Sequence, residues 1–359
     1  MTALLEVRDL EKRFSTGGLL RGARATVHAV NGVSFDLAPG ETLGLVGESG
    51  SGKSTVGRVI LRLTDASAGT VRFDGVDVFG LSGGELRAVR RRMQIVFQDP
   101  YSSLDPRMKA GPAVAEGLEI HRLLPPGEIP DRVAELFQEV GLDPSFSTKF
   151  PHECSGGQRQ RIGIARALAV DPAFLICDEP VSALDVSVQA QVLNLLADLQ
   201  RRRGIAFLFI AHDLAVVRQL AHRIAVMYFG RIVELAPAES LIRSARHPYT
   251  QALLSAVPEP DPSRQRTRIV LRGDPPRPTE PPPGCPFASR CFHHMKNERC
   301  VTELPPLRVV GESQVACHYA EYDSLKPSPA ASPQGLPRGA PPTPPARAEN
   351  RRPPDSNAP

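Results

Sequence analysis

Between Gly47 and Thr55 the chain reads Gly47-Glu48-Ser49-Gly50-Ser51-Gly52-Lys53-Ser54-Thr55, the pattern G-x4-G-K-[ST]. No other stretch restricts the fold as much, because such a loop works only between a buried strand and the start of a helix. The apolar run Thr42–Val46 precedes it and a helical run follows. The glycines let backbone N–H groups turn inward around phosphate oxygens, and the helix N-terminus adds positive potential. Lys53 then becomes the partner of the β- and γ-phosphates, and Ser54 a Mg²⁺ ligand. The bland alternative is a chance Gly/Ser-rich turn, which has no need of the flanking strand and helix.

The rest of the chain supplies an α/β frame for that loop. Strand-sized runs at Thr42–Val46, Phe174–Cys177, Ala206–Ala211 and Ile224–Tyr228 alternate with helical stretches such as Val186–Arg203. Strands followed by helices imply a largely parallel sheet with covered faces. Near the N-terminus, Val7, Leu10, Val30, Val33, Phe35 and Leu37 are separated by polar residues, which predicts antiparallel, half-buried strands. The organisation expected is one α/β domain over 1–255, a Pro- and Cys-rich region over 256–322, and a disordered Pro-rich tail over 323–359. The tail carries 11 prolines in 37 residues and cannot bury enough apolar surface to offset its ordering entropy. Pro275–Pro283 reads as an extended linker.

Composition excludes several classes. The net charge of +4 is mild and does not suggest a nucleic-acid binder, which needs a concentrated basic stripe. Residues 1–10 contain acids and no apolar h-region, and no run approaches the roughly 20 apolar residues of a membrane helix. The expectation is a cytosolic protein that reaches a membrane only through a partner. Reduced thiols are expected at Cys154, Cys177, Cys285, Cys291, Cys300 and Cys317.

Two further segments carry chemistry. Phe174-Leu175-Ile176-Cys177-Asp178-Glu179 is a buried strand ending in two acids. Beside a phosphate loop, an acid at such a strand tip holds Mg²⁺, and the adjacent Glu179 is placed to act as general base. Standing alone, the pair reads equally well as helix N-terminal acids before Pro180. Ser155-Gly156-Gly157-Gln158 opens a helical run expected over Arg159–Val170 and exposes backbone donors for a second anion. One nucleotide site has no use for two such helix starts, so the economical reading is service to another subunit's nucleotide. An ordinary Ser/Gly cap is the alternative.

Taken together, these segments resemble the ATP-binding cassette family from about residue 5 to 255. The phosphate loop, the Ser155–Gln158 signature, Asp178-Glu179, the Ser182–Asp185 loop and His212 occur in the family's order. The resemblance implies a P-loop NTPase cassette with an antiparallel β subdomain and a helical signature subdomain. By the same resemblance, Gln98 helps hold Mg²⁺ and water and couples the site to membrane subunits. Asp185 bridges two ATPase subunits, and His212 contacts the γ-phosphate. Phe14 sits where an aromatic stacks on adenine, its alternative being a core Phe on a strand. Cys154 replaces the Leu with which the family signature usually begins, a mild apolar change.

Within that family the chain is most similar to the ATPase subunits of oligopeptide and dipeptide importers, in particular the second, F-type subunit. The carrying segments are Gln98–Pro106, Cys177–Val186, His247–Ser255 and Cys285–Cys291. The resemblance implies ATP and Mg²⁺ as ligands and import of peptides. It also implies a second ATPase subunit, two transmembrane permeases, an extracytoplasmic substrate-binding protein and residence on the cytoplasmic face of the membrane. The stretch Tyr101–Met108 resembles the surface that receives a permease helix. Nickel or another small solute is the alternative cargo. A soluble cassette ATPase acting on DNA or ribosomes is the rival class, but it usually carries two cassettes or a long coiled-coil insertion. Cys285, Cys291, Cys300 and Cys317 fall at C-x5-C-x8-C-x16-C. Four thiolates complete a Zn²⁺ site or a [4Fe–4S] cluster, and the resemblance favours the cluster. Four reduced cysteines packed as small apolar groups is the third reading. His293, His294 and His318 are candidate ligands or supporting donors for such a site, with ordinary surface residues the favoured reading.

Overall fold

The computed structural model describes residues 3–16, 25–257, 268–277, 279–322 and 324. Two long antiparallel strands, β1 (Leu5–Thr16) and β2 (Ala25–Leu37), pair from Leu5 opposite Leu37 outward. With β4 (Ala68–Phe73) and β5 (Val76–Asp77) they form a four-stranded sheet ordered β2-β1-β4-β5. The alternating residues Val7, Leu10, Val30, Val33, Phe35 and Leu37 are all buried, so one face of this sheet is core and the other is wet.

The second sheet has eight strands in the order β11-β12-β10-β9-β3-β8-β7-β6. Its parallel centre is β6 (Met93–Val96), β7 (Phe174–Asp178), β8 (Ala206–Ala211), β3 (Thr42–Val46) and β9 (Arg223–Tyr228). Every residue of β3, β7 and β8 is buried, as expected for strands covered on both faces. The period of two sends Ile176, Leu208 and Ile210 into one core with Val56 and Ile60 of α1 (Lys53–Ile60). It sends Leu175, Phe207 and Phe209 into the other, with Val192 and Leu196 of α7 (Val186–Arg203).

Between β6 and β7 the chain inserts α4 (Ala110–Ile120), α5 (Ile129–Glu139) and α6 (Gly156–Leu168). Helix α7 has the bounds its sequence predicts, from its cap at Asp185 to Gly204, whose φ of 64° ends it. Helix α6 is displaced toward the N-terminus from the expected Arg159–Val170. The Ser155 hydroxyl accepts from the Gln158 N–H at 3.3 Å while the Ser155 N–H donates to Oε1 of Gln158 at 2.8 Å, so the helix starts at Gly156. At the other end, Asp171 adopts φ 52°, which no helix continues through.

The hairpin strand β10 (Arg231–Pro237) extends the sheet antiparallel to β9, and the Cys-rich region adds β12 (Ser313–Val315) and β11 (Arg308–Val310) beyond it. After α10 (Pro248–Ser255) no regular element occurs among the described residues until the 3-10 turn Ala288–Arg290. Phe287 is fully buried, with its ring centroid 5.3 Å from Tyr228 and 5.4 Å from Tyr249. That aromatic cluster anchors the Cys-rich region in the main core. The expected disordered tail, 323–359, lies outside the described residues apart from Ser324.

Candidate functional site

The phosphate loop leaves β3 and enters α1 under tight steric control. A Cβ at Gly47 would stand 2.1 Å from the Met227 carbonyl oxygen, and one at Gly52 would stand 2.1 Å from that of Ala29. Gly52 also has φ 101°, so both positions exclude any side chain. Lys53 follows, only 4% exposed. Its Nζ donates to the carbonyls of Gly47 at 2.8 Å and Glu48 at 3.0 Å. Burial lowers its pKa, and the nearby carboxylates of Glu179, Asp178 and Glu48 oppose that shift.

Four polar side chains, Asp178, Glu179, Gln98 and His212, gather near this lysine from beyond the C-terminal ends of β6, β7 and β8, where ligands bind in such sheets. Asp178, at the tip of β7, accepts from the Ser54 hydroxyl at 2.7 Å. Burial raises its pKa, while Ser54 and Arg58 act the other way. A hydroxyl and a carboxylate side by side form a hard oxygen donor pair suited to Mg²⁺. Glu179 takes φ 46° as the chain leaves β7, and its N–H donates to the Ile210 carbonyl at 3.0 Å. Its Oε2 accepts from Gln98 Nε2 at 2.9 Å and lies 3.5 Å from Nδ1 of His212.

The cleft so formed has a volume of ≈ 530 Å³ and is lined by Ser49, Gly50, Gly52, Lys53, Ser54, Thr55, Gln98, Glu179 and His212. Val27, His28 and Ala29 of β2, together with Phe229 and Gly230, complete the wall. Sequence reasoning missed these five, because no motif marks a wall made by β2 of the other sheet or by the turn between two strands of this one. Phe14 pairs across the strands with Val27, is 40% exposed, and carries Lys12 Nζ 4.9 Å from its ring centroid. The core alternative for Phe14 therefore does not describe it.

Ser155, Gly156, Gly157, Gln158 and Asp185 do not line this cleft. The signature packs instead against the segment before and into α7: a Cβ at Gly157 would stand 2.4 Å from Val188 Cγ1, and one at Gly156 3.2 Å from Leu184 Cδ2. Beside it Val186 is 82% exposed. Cys154 is buried, its thiol donating to the Phe150 carbonyl at 3.5 Å, and burial raises its pKa. It is a packing residue rather than a reactive thiol.

In the C-terminal region, Cys285, Cys291, Cys300 and Cys317 line one small cavity of ≈ 20 Å³ together with His247, His293 and His318. All six cysteines of the chain are free. Burial pushes Cys285 up to about 12 and Cys317 up to about 11, and raises Cys291 as well. Among the described residues no three His, Cys, Asp or Glu side chains lie close enough to hold one metal ion. Contrary to the sequence expectation, His293 is not a surface residue. It is 4% exposed, its Nδ1 accepts from the Met295 N–H at 3.1 Å, and its ring lies 5.9 Å from that of Tyr319.

Two site contacts lay within segments already singled out but were not read from them. The hydroxyl of Tyr249 accepts from the Glu48 N–H at 2.8 Å, and Arg290 pairs with the Glu48 carboxylate.

Against known proteins, residues 30–182 match the ABC transporter family and residues 233–300 match the oligopeptide/dipeptide transporter C-terminal region. The chain is 52% identical over 309 residues to a Brucella ovis protein designated a peptide import ATP-binding protein, covering 86% of this chain and 95% of that one. It is 49% identical over 319 residues to YkfD of Bacillus subtilis, designated an oligopeptide transport ATP-binding protein, covering 88% and 95%. A third relative is GsiA of Shigella dysenteriae, a glutathione import ATP-binding protein. It is 56% identical over 272 residues, which span 76% of this chain and 44% of GsiA. Among solved structures, the dimeric post-hydrolysis state of the cassette MJ0796 bound to ADP and Pi aligns with a TM-score of 0.58 and 28% identity, over 65% of this chain and 98% of that one.

Proposed function

The chain belongs to the ATP-hydrolysing subunits of the ABC transporter family, and from that premise we propose that it is one half of an ATPase dimer driving peptide import, its F-type subunit. One observation carries the dimer. The phosphate loop, Glu179, Gln98 and His212 meet in one cleft, with Asp178 bonded to Ser54 behind it, while the signature Ser155–Gln158 sits elsewhere on the same chain. A signature that cannot serve its own cleft serves one on a facing subunit, with Asp185 and the exposed Val186 beside it at the join. The solved structure of MJ0796 is described as dimeric, which supports the same arrangement.

In each composite site Lys53 and the loop N–H groups of Gly47–Thr55 hold the triphosphate, and Phe14 stacks on the adenine. Ser54, Asp178 and Gln98 hold Mg²⁺, whose chemistry when bound is to neutralise charge on the β- and γ-phosphate oxygens. Glu179 accepts a proton from the attacking water, and His212 faces the γ-phosphate. The partition into an ATPase domain over 1–255 and a Cys-rich region over 256–322 belongs to the same reading. Peptide cargo rests on the names of the relatives and on the matched C-terminal region. Among the described residues no helix is long and apolar enough to cross a membrane. Two permease subunits therefore supply the pathway, with Tyr101–Met108, where Tyr101 is 54% exposed, as the docking stretch. A substrate-binding protein delivers the cargo, and this subunit lies on the cytoplasmic face.

A mixed dimer tests the composite site. Ser155→Arg puts bulk and charge where backbone donors meet phosphate, so it is expected to silence the partner's site and spare the site containing this chain's Lys53. The readout is single-site turnover when the partner's own lysine or this Lys53 is replaced. Loss confined to the site of this chain's Lys53 would sink the trans arrangement.

The four C-terminal thiols line one cavity of ≈ 20 Å³, smaller than a cluster needs, and among the described residues no group of three His, Cys, Asp or Glu is placed to hold a metal ion, so a cluster rests on the four-cysteine pattern of the sequence alone. We propose that they hold a [4Fe–4S] cluster, which when bound staples a region with little apolar core of its own. Protein purified without oxygen is expected to be brown, with about four irons per chain, and to lose both on Cys291→Ser. Colourless, iron-free protein from that preparation would overturn the assignment.

A further inference from the structure

The geometry points to Arg290 as a positioning residue for the phosphate loop, reaching from the cysteine-rich region to fix Glu48. Arg290 and Glu48 are 242 residues apart in sequence. Nη1 donates to Oε2 at 2.8 Å and Nη2 to Oε1 at 3.2 Å, a two-pronged pair that fixes orientation as well as distance. The Arg290 side chain is only 9% exposed and Glu48 is 34% exposed, so this is not the solvent-bathed pair whose worth is close to zero.

Glu48 is gripped on its main chain too. Its N–H donates to the Tyr249 hydroxyl at 2.8 Å, and its carbonyl accepts from Lys53 Nζ at 3.0 Å. The residue thus links the cation that meets the phosphates to a platform outside the loop. That platform is stiff. Arg290 closes the turn Ala288–Arg290, its guanidinium lies 6.0 Å from the Tyr228 ring centroid, and Phe287 is buried against Tyr228 and Tyr249. The pairing also has an electrostatic purpose. A carboxylate inside a loop that must receive a polyanion repels it unless a cation holds and neutralises that carboxylate, and Arg290 is the cation paired with Glu48.

The inference rests on the loop's being the ATP site, and the test separates the two. The full-length chain is titrated with MgATP, and the assembled ATPase gives KM and kcat. Arg290→Ala is expected to weaken ATP binding about tenfold, or about 1.4 kcal/mol. KM rises accordingly while kcat changes far less, because Glu179, Gln98 and His212 stay in place. Arg290→Lys is expected to recover part of the loss, since an ammonium keeps the charge but not the two-pronged geometry. In a Glu48→Gln background Arg290→Ala is expected to cost nothing more, the signature of a coupled pair. If Arg290→Ala does not fold, Arg290→Gln keeps much of the bulk without the charge and is read the same way. Unchanged ATP affinity in a folded Arg290 variant, or an equal loss with and without Glu48, overturns the proposal. Unchanged affinity in Lys53→Ala would instead overturn the ATP assignment beneath it.

Discussion

Glu179→Gln is expected to keep ATP bound while slowing turnover by about 10²–10⁴-fold, the usual contribution of a positioned general base. The carboxylate is well placed for that role. It is 15% exposed, its Oε2 accepts from Gln98 at 2.9 Å, and His212 stands 3.5 Å away. An amide has the same shape, and its oxygen still accepts from Gln98, so the cleft keeps its form. What disappears is the ability to take a proton from water. A negative charge facing the triphosphate disappears with it, so the ATP-bound dimer should live longer than in the parent protein. Turnover is measured on the assembled complex, and dimer lifetime by size-exclusion chromatography with ATP. Near-normal turnover would remove Glu179 from the role of base.

What the chain revealed before its structure was known divides along a physical line. Local chemistry was legible. The loop from Gly47 to Thr55 needs its glycines for steric reasons that any strand–loop–helix imposes, and the structure shows those contacts at Met227 and Ala29. Helix α7 was read to the residue because its two ends carry their own stop signals, Asp185 and Gly204. Helix α6 was misread by three residues at its start because its periodic apolar pattern begins after its cap, and the cap decides the boundary. Sheet order and cross-chain pairings were not legible. Nothing in Val27–Ala29 says that β2 walls the cleft beside the phosphate loop, since that depends on how two sheets meet. Likewise composition only sets the Cys-rich region over 256–322 apart, whereas β12 pairs with β10 at Glu234 opposite Val315 and Arg290 reaches Glu48. Pairings that span much of the chain are set by the packed core and leave no local periodicity to read. His293 shows the same limit, since its burial comes from neighbours such as Tyr319 rather than from its own segment.

Lys53→Ala should fail at an earlier step than Glu179→Gln, and the contrast between the two is the sharpest test of the site. The ammonium is nearly buried and is held by the carbonyls of Gly47 and Glu48. Glu179, Asp178 and Glu48 all act on it as nearby negative charges. Removing the cation leaves those three carboxylates around the place where a triphosphate must sit. Like charges then oppose binding, and the developing charge on the γ-phosphate in the transition state loses its partner. Removal of one such preorganised donor typically costs about 10²–10³ in kcat. Here the loss falls on affinity as well, so kcat/KM should drop by more than kcat alone. The loop itself should survive, because Gly47 and Gly52 set its path and the two freed carbonyls can take water from the open cleft. An unchanged melting temperature without nucleotide, together with the loss of ATP-induced stabilisation, is the expected pair of readings. Lys53→Arg keeps the charge but brings a larger fork into a space lined by Gly50 and Gly52, so it should restore little. Wild-type stabilisation by ATP in Lys53→Ala would mean that the phosphates are held elsewhere and that this cleft is not the nucleotide site.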